Sequence, residues 1–423
     1  MSLLLLSGGL PRIRLLDPGR KDPRLSFARA QLAGVESTYL GPDGATWQVA
    51  AADVLRFQGA GRRALFEGQR TNLLASARTT GGVGYANTNI ASVEAAVGPD
   101  GLAGTASLIT ETTDGSALSH QILCSDTASI VSGTTYTMTC IVKPGACSTV
   151  QIVGRTGAFG TAVWANYDLS GAGSVGTYGA SVSRATITRT GSWYVISCSG
   201  PASATGTLAP WALVMSTSAT DSRSPAYVGT GRAFTAGWSW VEQAAFASAP
   251  ILPPVASPAA STRGADLASA AWSWRRGVIL WSGRWLQTAP SGIDQTAFQL
   301  DDASDSNRFR IRNAAGGATV VAGRVTSGSA VDATTLGSMT AGTTTSLGLA
   351  VDLDTGAYKA LLRGGSVQSG TGGPTAASAL RAANNYAAAA AMFGEIERFQ
   401  VIPGLWPSDA HLAAEVNNMP LAA

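Results

Sequence analysis

Short runs of alternating or clustered apolar residues, separated by turn residues, recur through most of this chain. They include Tyr136 to Lys143, Thr149 to Gly154 and Trp193 to Ser199. Runs of this length and spacing are typical of antiparallel strands in a sandwich, because alternation buries one face of a strand and regular turns join it to the next. The chain is therefore expected to be all-β, with two antiparallel β-sandwich (jelly-roll) domains in tandem.

The composition favours the same class. Glycine provides 50 of 423 residues, about 12 % against a usual value near 7 %. Hydrophobic residues make up 45 % and charged residues only 13 % of the chain. β-Branched residues fit a pleated surface and glycine supplies positive φ at tight turns, so long helices are not expected.

Charge and hydropathy exclude several classes of function. The net charge of +3 is spread over the whole chain, so nucleic acid is not expected as a partner. No apolar run approaches the roughly 18 residues of a membrane helix. Leu3 to Leu6 is too short for a signal-peptide core. We therefore expect no membrane insertion and no signal peptide. Cys124, Cys140, Cys147 and Cys198 lack metal-site spacing and are expected to be core thiols.

The chain divides into four predicted regions. Residues 1–68 are broken by prolines and carry too little apolar mass for a core, so they are expected to fold against another subunit or protein. Residues 69–250 form the first predicted sandwich. Residues 251–263 are rich in Pro, Ala and Ser and are predicted to be a linker. Residues 264–423 form the second predicted sandwich.

The segment EGQRTNLL, Glu67 to Leu74, stands between the Arg/Pro/Gly-rich start and the long strand-patterned remainder. This layout resembles fibre and spike proteins of tailed bacteriophages and phage-derived gene transfer agents. The resemblance implies a virion protein on the particle surface, either a head spike or a tail fibre, made in the bacterial cytoplasm without a signal peptide. It also implies that residues 1–68 attach to other virion proteins.

Two further resemblances concern the sandwiches. Asn72 to Leu74, Lys143 to Gly145 and Gly191 to Tyr194 resemble a jelly-roll domain of phage adhesins that is similar to carbohydrate-binding modules. The strand pattern of Gly394 to Ile402, followed by a helix start at Trp406 to Leu412, resembles the carboxyl end of laminin-G/concanavalin A-like domains. Both imply β-sandwich folds.

Aromatic side chains are the candidate glycan contacts, because a ring can stack on the C–H face of a sugar. The candidates are Trp164, Tyr178, Trp281 and Trp285. Period-2 geometry places Trp281 and Trp285 on one strand face. Burial between the two sheets is the alternative for each of them.

Asp301, Asp302 and Asp305 crowd one predicted loop. Carboxylate oxygens in a loop suit Ca²⁺, and laminin-G-like domains often hold one at a loop rim. A turn stabilised by side-chain hydrogen bonds to the backbone explains the same residues. Both readings stay open, and no other cofactor is expected.

Catalytic patterns are weak. His120 and His411 share no recognisable motif with a nucleophile. Glu395 and Glu397 lie two apart on a predicted strand, but Gln400 stands where a concanavalin A-like glycosidase has its third carboxylate. An exposed polar strand face is favoured, so no catalytic residue and no enzymatic activity are expected.

The resemblances together imply a non-catalytic protein that attaches the particle to capsular or other surface polysaccharide of the host. Repeated weak sites gain avidity when linked. A homo-oligomer, trimeric or pentameric, is therefore expected. The alternatives are a depolymerising tailspike glycosidase and an architectural decoration protein without a ligand.

Overall fold

The computed structural model describes residues 11–31, 33–255 and 258–421. Strands hold 50 % of the residues and helices 3 %, which confirms the all-β prediction. The described residues form two compact units. Unit 1 takes those within 1–30, 52–69 and 264–423, and unit 2 takes those within 31–51 and 70–263.

The strands of the first half are, in chain order, β1 Ile13–Asp17, β2 Arg20–Lys21, β3 Ser26–Ala28, β4 Glu36–Leu40, β5 Trp47–Ala50, β6 Arg56–Gln58, β7 Arg63–Phe66, β8 Arg70–Asn72, β9 Tyr85–Thr88, β10 Ile90–Val97, β11 Ala103–Glu111, β12 Ala117–Leu118, β13 Gln121–Cys124, β14 Ala128–Ile130, β15 Thr135–Lys143, β16 Thr149–Gly154, β17 Trp164–Asp168, β18 Ser174–Tyr178, β19 Arg184–Thr190 and β20 Trp193–Pro201. The others are β21 Gly206–Leu208, β22 Trp211–Met215, β23 Tyr227–Val228, β24 Ala233–Glu242, β25 Ile251–Leu252, β26 Ser261–Arg263, β27 Leu267–Ala271, β28 Arg276–Trp285, β29 Gln295–Asp301, β30 Arg308–Asn313, β31 Thr319–Thr326, β32 Ser329–Ser338, β33 Thr345–Asp352, β34 Ala357–Leu362, β35 Gln368–Gly370, β36 Ala379–Ala382 and β37 Gly394–Pro403. The helices are α1 Thr156–Phe159 and α2 Asp409–Asn417.

Unit 1 is a sandwich of two antiparallel sheets. The nine-stranded sheet has the order β2-β1-β37-β28-β33-β34-β35, with β7 also paired to β37 and β6 to β7. The seven-stranded sheet has the order β3-β27-β36-β29-β30-β31-β32. Alternation builds the core between them: in β30, Phe309 and Ile311 are buried whereas the arginines at alternate positions are only partly covered.

The N-terminal region differs from its prediction as a separate piece, residues 1–68. One edge of the long strand β37 pairs with β1 through Ile13↔Val401 and with β7 through Glu395↔Leu65. Strand β3 extends the other sheet by pairing with β27. The region has too few apolar residues for its own core, but its strands satisfy open edges and place Phe66 in the core of unit 1.

Helix α2 covers the outer face of the nine-stranded sheet. The hydroxyl of Ser408 accepts a hydrogen bond from the backbone N–H of His411 at 3.2 Å, so Ser408 is the N-cap. Leu412 and Val416 are buried against that sheet. The predicted helix start is thus confirmed. No helix among the described residues is long and apolar enough to cross a membrane.

Unit 2 contains two six-stranded antiparallel sheets, with orders β10-β11-β24-β15-β20-β19 and β18-β17-β16-β22-β13-β9. We call the second one the β16 sheet. Their inner faces form a core that includes all four cysteines as free thiols. The hairpin β4–β5 contributes Trp47 to a second apolar cluster that contains Trp193, Trp238 and Trp240.

The predicted linker, residues 251–263, is not a free connection. Strand β25 pairs with β4, and β26 pairs with β8. The chain passes between the units four times, after Ala30, Ala51, Gln69 and Arg263. The first two crossings fall inside the predicted N-terminal region, residues 1–68. The last two lie close to the predicted sandwich limits, although the segment before Gly264 is built into unit 2.

Candidate functional site

The structure separates the four predicted glycan contacts into two pairs. Trp281 and Trp285 are 0 % and 1 % exposed and lie side by side in the core of unit 1, with ring centroids 5.1 Å apart. Their prediction as sugar contacts is therefore wrong. They share a face as expected, but β28 is a central strand and this face is covered by the second sheet. Trp164 is only partly buried, and Tyr178 is 56 % exposed.

Trp164 lies on the outer face of the β16 sheet. It pairs with Val153 across β16 and β17, and both pack with Ala212 and Val214. Side chains on adjacent positions, such as Ile152, point into the core instead. An aromatic ring thus stands on a small apolar patch that faces away from the core.

A loop between β22 and β23 is tied to this outer face by Gln151, whose side chain is fully buried. Nε2 of Gln151 donates to the carbonyl of Ser222 at 3.0 Å, and Oε1 accepts from the N–H of Ser224 at 2.7 Å. The buried Asn166 donates to the carbonyl of Asp221 at 2.7 Å. The backbone on both sides of Arg223 is therefore fixed.

Asp221 closes the same loop on itself. Its Oδ2 accepts from the hydroxyl of Ser216 at 2.7 Å and from the N–H groups of Thr217 and Ser218 at 2.9 and 3.0 Å. Burial opposes ionisation of Asp221, but these hydrogen bonds outweigh it and lower the pKa of the carboxyl. The carboxylate is consequently engaged by its own loop.

Arg223 extends along the end of β16. Its Nη2 donates to the carbonyl of Gly154 at 3.2 Å and to the hydroxyl of Thr156 at 3.0 Å. Arg155 lies between those two partners in sequence. Burial lowers the pKa of Arg223, and the positive charge of Arg155 lowers it further. We call Trp164, Arg155 and Arg223 with the fixed loop the outer-face site.

The aspartate loop of unit 1 does not form the predicted Ca²⁺ site. Asp301 is fully buried and accepts from Nε and Nη2 of Arg381 at 2.7 and 3.1 Å. Asp302 accepts from Ser304 at 2.5 Å and from Asn307 at 2.8 Å, and Asp305 accepts from Gln299 and Asn385, each at 3.0 Å. No group of three metal-ligating side chains occurs within the described part of the chain. These contacts fit the alternative prediction, a turn stabilised by side-chain hydrogen bonds.

Arg381, which is bound to Asp301, contacts an exposed tyrosine, Tyr386. The guanidinium of Arg381 lies 4.9 Å from the ring centroid of Tyr386, which is 49 % exposed. Ala383 and Ala388, within three residues of Tyr386 in sequence, have positive φ values of 60° and 58°. Sequence reasoning missed Tyr386, although an isolated tyrosine in an alanine-rich loop is a recognisable signal.

An apolar groove of about 430 Å³ opens at the edge of the unit 1 sandwich. Leu15, Leu380 and Val401 are among its lining residues, and Trp274 and Arg24 also line it. Arg24 is bound to Asp22 at 2.8 Å. The groove therefore offers one accessible indole above core-facing side chains, with a charge already paired at its rim.

The positions of Glu395 and Glu397 do not support a role as paired glycosidase carboxylates. Glu395 and Glu397 are 2 % and 3 % exposed, not on an exposed face as expected. The carboxylate of Glu395 accepts from Nε of Arg284 at 2.9 Å and from Gln58 at 3.2 Å, and Arg63 lies 3.7 Å away. A buried carboxylate with these partners cannot contact a glycosidic bond without disrupting them.

His120 and Glu111 belong to a closed network in unit 2. His120 is fully buried, with Nδ1 at 2.8 Å from the carbonyl of Asn89 and its ring against Tyr227. Glu111 accepts from Nε of Arg232 at 3.0 Å and from the hydroxyl of Tyr227 at 2.7 Å. The network ties the end of β11 to the residues around Tyr227 and engages the polar atoms of both side chains in hydrogen bonds.

No protein-family model and no curated protein matches the sequence. Solved structures that are similar in fold include the carbohydrate-binding module CBM40 of the Ruminococcus gnavus IT-sialidase bound to α2,3-sialyllactose. It has a TM-score of 0.28 and 14 % identity over 34 % of this chain and 83 % of the module.

Two more structures are similarly distant. The NanB sialidase of Streptococcus pneumoniae gives a TM-score of 0.27 with 14 % identity over 36 % of this chain and 25 % of that protein. Domains LG4-5 of the mouse laminin α1 chain give 0.24 with 10 % identity over 69 % of this chain and 92 % of theirs. Similarity at this level does not establish a shared function.

Proposed function

We propose that this protein is a non-catalytic adhesin that binds surface polysaccharide of a bacterial host from a phage-like particle, as a head spike or tail fibre. The binding part of the proposal rests on the outer-face site, where Trp164 stands beside a loop fixed by Gln151. The particle part rests on the resemblance carried by Glu67 to Leu74 and the layout around it.

The outer-face site suits a sugar for a physical reason. An indole ring on an apolar patch can stack on the C–H face of a pyranose, while sugar hydroxyls need fixed polar partners nearby. Arg223 and the hydroxyl of Thr156 supply such partners at the end of β16. Because Gln151 holds the loop in place, little conformational entropy is lost on binding.

One shallow site of this kind binds weakly, so several copies are proposed to act together. Linked sites raise avidity by a factor on the order of 10² to 10⁴ without new contacts. A closed homo-oligomer, a trimer or a pentamer, would supply them. Residues 1–68 are proposed to attach the protein to other virion proteins. Because β1, β3 and β7 belong to the sheets of unit 1, attachment would use a folded surface.

The test is binding of the full chain to polysaccharide isolated from candidate hosts, with Trp164→Ala as the variant. Loss of the stacking surface is expected to weaken binding by roughly tenfold. Val83→Ala, at a side chain 94 % exposed in the same unit, is the control and should leave binding unchanged. Equal affinities for both variants would contradict the assignment of this site.

The same incubations separate the alternatives. Release of new reducing ends from the polysaccharide would establish a depolymerising tailspike. Absence of binding to every host polysaccharide, together with normal particle assembly, would instead support an architectural protein without a ligand.

A further inference from the structure

We propose that the outer-face site selects an acidic saccharide, whose oxyanion binds between Arg155 and Arg223. The inference rests on the proposed glycan-binding function and adds the chemical class of the ligand. Carboxylate groups are planar, whereas sulfate and phosphate groups are tetrahedral. All three present a pair of oxygen atoms that a guanidinium can bind through two parallel hydrogen bonds.

The two arginines lie together without a compensating acid. Nη2 of Arg223 bonds to Gly154 and Thr156, the neighbours of Arg155 on either side. No carboxylate lies within 4.0 Å of either guanidinium among the described residues, whereas Arg78 pairs with Glu36 at 2.8 Å and Arg232 pairs with Glu111 at 3.0 Å in the same unit. An external anion would remove the repulsion that remains between Arg155 and Arg223.

The acid of the loop, Asp221, is engaged in hydrogen bonds within the loop. The Asp221 carboxylate accepts bonds from Ser216, Thr217 and Ser218, so it is not available to neutralise Arg223. Neutralisation of Arg223 is therefore left to a ligand. The positive charge of the site is a local feature, because the whole chain carries only +3.

Arg223 is also held in a fixed position at an energetic cost. Ser224, which follows it, has a left-handed φ of 51°, a conformation that non-glycine residues seldom adopt. Nε of Arg223 is buried and has no hydrogen-bond acceptor in the described part of the protein. Strain at Ser224 and an unpaired donor on the adjacent Arg223 are typical of positions retained for binding.

The position of Trp164 beside the arginines indicates that the bound anion belongs to a saccharide. Trp164 pairs with Val153, two residues before Arg155 on the neighbouring strand. Strand spacing and rise put the backbones of Trp164 and Arg155 roughly 8 Å apart. A short acidic oligosaccharide can therefore stack a ring on the indole while its oxyanion reaches the arginines.

The test uses the full chain and four probes: oligogalacturonate, hyaluronan oligosaccharides, sialyllactose and heparin oligosaccharides. Carboxyl-reduced forms of the first three and desulfated heparin are measured beside them. Isothermal titration is expected to show binding to at least one acidic probe. Removal of the acid group, or Arg155→Gln or Arg223→Gln, should weaken that binding about tenfold or more. Increasing NaCl should weaken it as well.

Arg184→Gln is the matched control, since it removes one positive charge from an exposed position of the same unit. It should leave affinity unchanged. If Arg223→Gln fails to fold, Arg155→Gln carries the test, because Arg223 and not Arg155 makes the hydrogen bonds to Gly154 and Thr156 that hold the loop against β16. Carboxyl reduction and desulfation tell which oxyanion is bound.

Two results would overturn the inference in different ways. If neutral glycans bind as well as acidic ones, and Trp164→Ala abolishes binding while both arginine variants retain it, the acidic class is wrong and the proposed function stands. If neither the probes nor host polysaccharides bind the wild-type chain, both fall together.

Discussion

At the scale of single residues, Glu111 shows how this protein accommodates a buried charge. Its side chain is fully buried, yet it accepts from Arg232, from the hydroxyl of Tyr227 and from the N–H of Thr230 at 3.0 Å. Burial alone would raise the pKa of the carboxyl. These donors outweigh burial and lower the pKa to about 2.

The pH dependence of stability follows from that shift. The pKa of Glu111 is lower in the folded state than the ordinary value of 4.5. Its contribution is therefore complete above about pH 4.5 and is lost as the pH falls towards 2. Glu111→Gln should lower the free energy of unfolding at pH 7 by about 3 kcal/mol, because Arg232 loses its charged partner.

Urea unfolding of both proteins between pH 2 and 7 provides the measurement. The difference between wild type and Glu111→Gln should shrink as the pH falls from 4.5 towards 2. A difference that stays constant over that range would show that ionised Glu111 does not stabilise the fold.

At the scale of elements, β7 shows that a short strand from the N-terminal region belongs to the core of unit 1. All four of its residues are buried, and Phe66 is 0 % exposed. Phe66→Ala should lower the free energy of unfolding by about 3–5 kcal/mol, because it leaves a cavity between the two sheets.

Thermal unfolding tests this directly, with Val54→Ala as the control. Val54 is 50 % exposed and lies in the same segment of unit 1, so its truncation should change the Tm little. If Phe66→Ala also left the Tm unchanged, the segment would not contribute to this core, in line with the expectation from the sequence that it folds against another subunit or protein.

Elements were also where sequence reasoning worked best. Alternation in Arg308 to Arg312 predicts one buried and one polar face, and the structure has that pattern. The same reasoning put Glu395 and Glu397 on an exposed face. It failed there because Arg284, which binds Glu395, lies 111 residues away in sequence.

At the scale of the whole molecule, the fold is held without covalent cross-links among its cysteines. All four thiols are buried and free. Burial raises the pKa of Cys124, Cys140 and Cys198 to about 12. A reducing agent should therefore leave the Tm unchanged.

Titration with a chromogenic disulfide reagent checks the thiols. At pH 8 the folded protein should react slowly, because buried thiols are neither accessible nor ionised. Denaturation should release four reactive thiols per chain. Fewer than four, or a Tm that falls on reduction, would mean that a disulfide forms in solution.

The sequence by itself determined the fold class and many of the strands. Local alternation and turn residues are sufficient for this, because they act over a few neighbouring residues. The tertiary structure decided which faces are covered. It buried Trp281 and Trp285, engaged the aspartates of the predicted Ca²⁺ loop, and brought Arg223 to Arg155 across 68 residues of sequence. Period-2 patterning separates the two faces of a strand, but only the packing of distant strands and loops determines which face stays open and which charge stays unpaired.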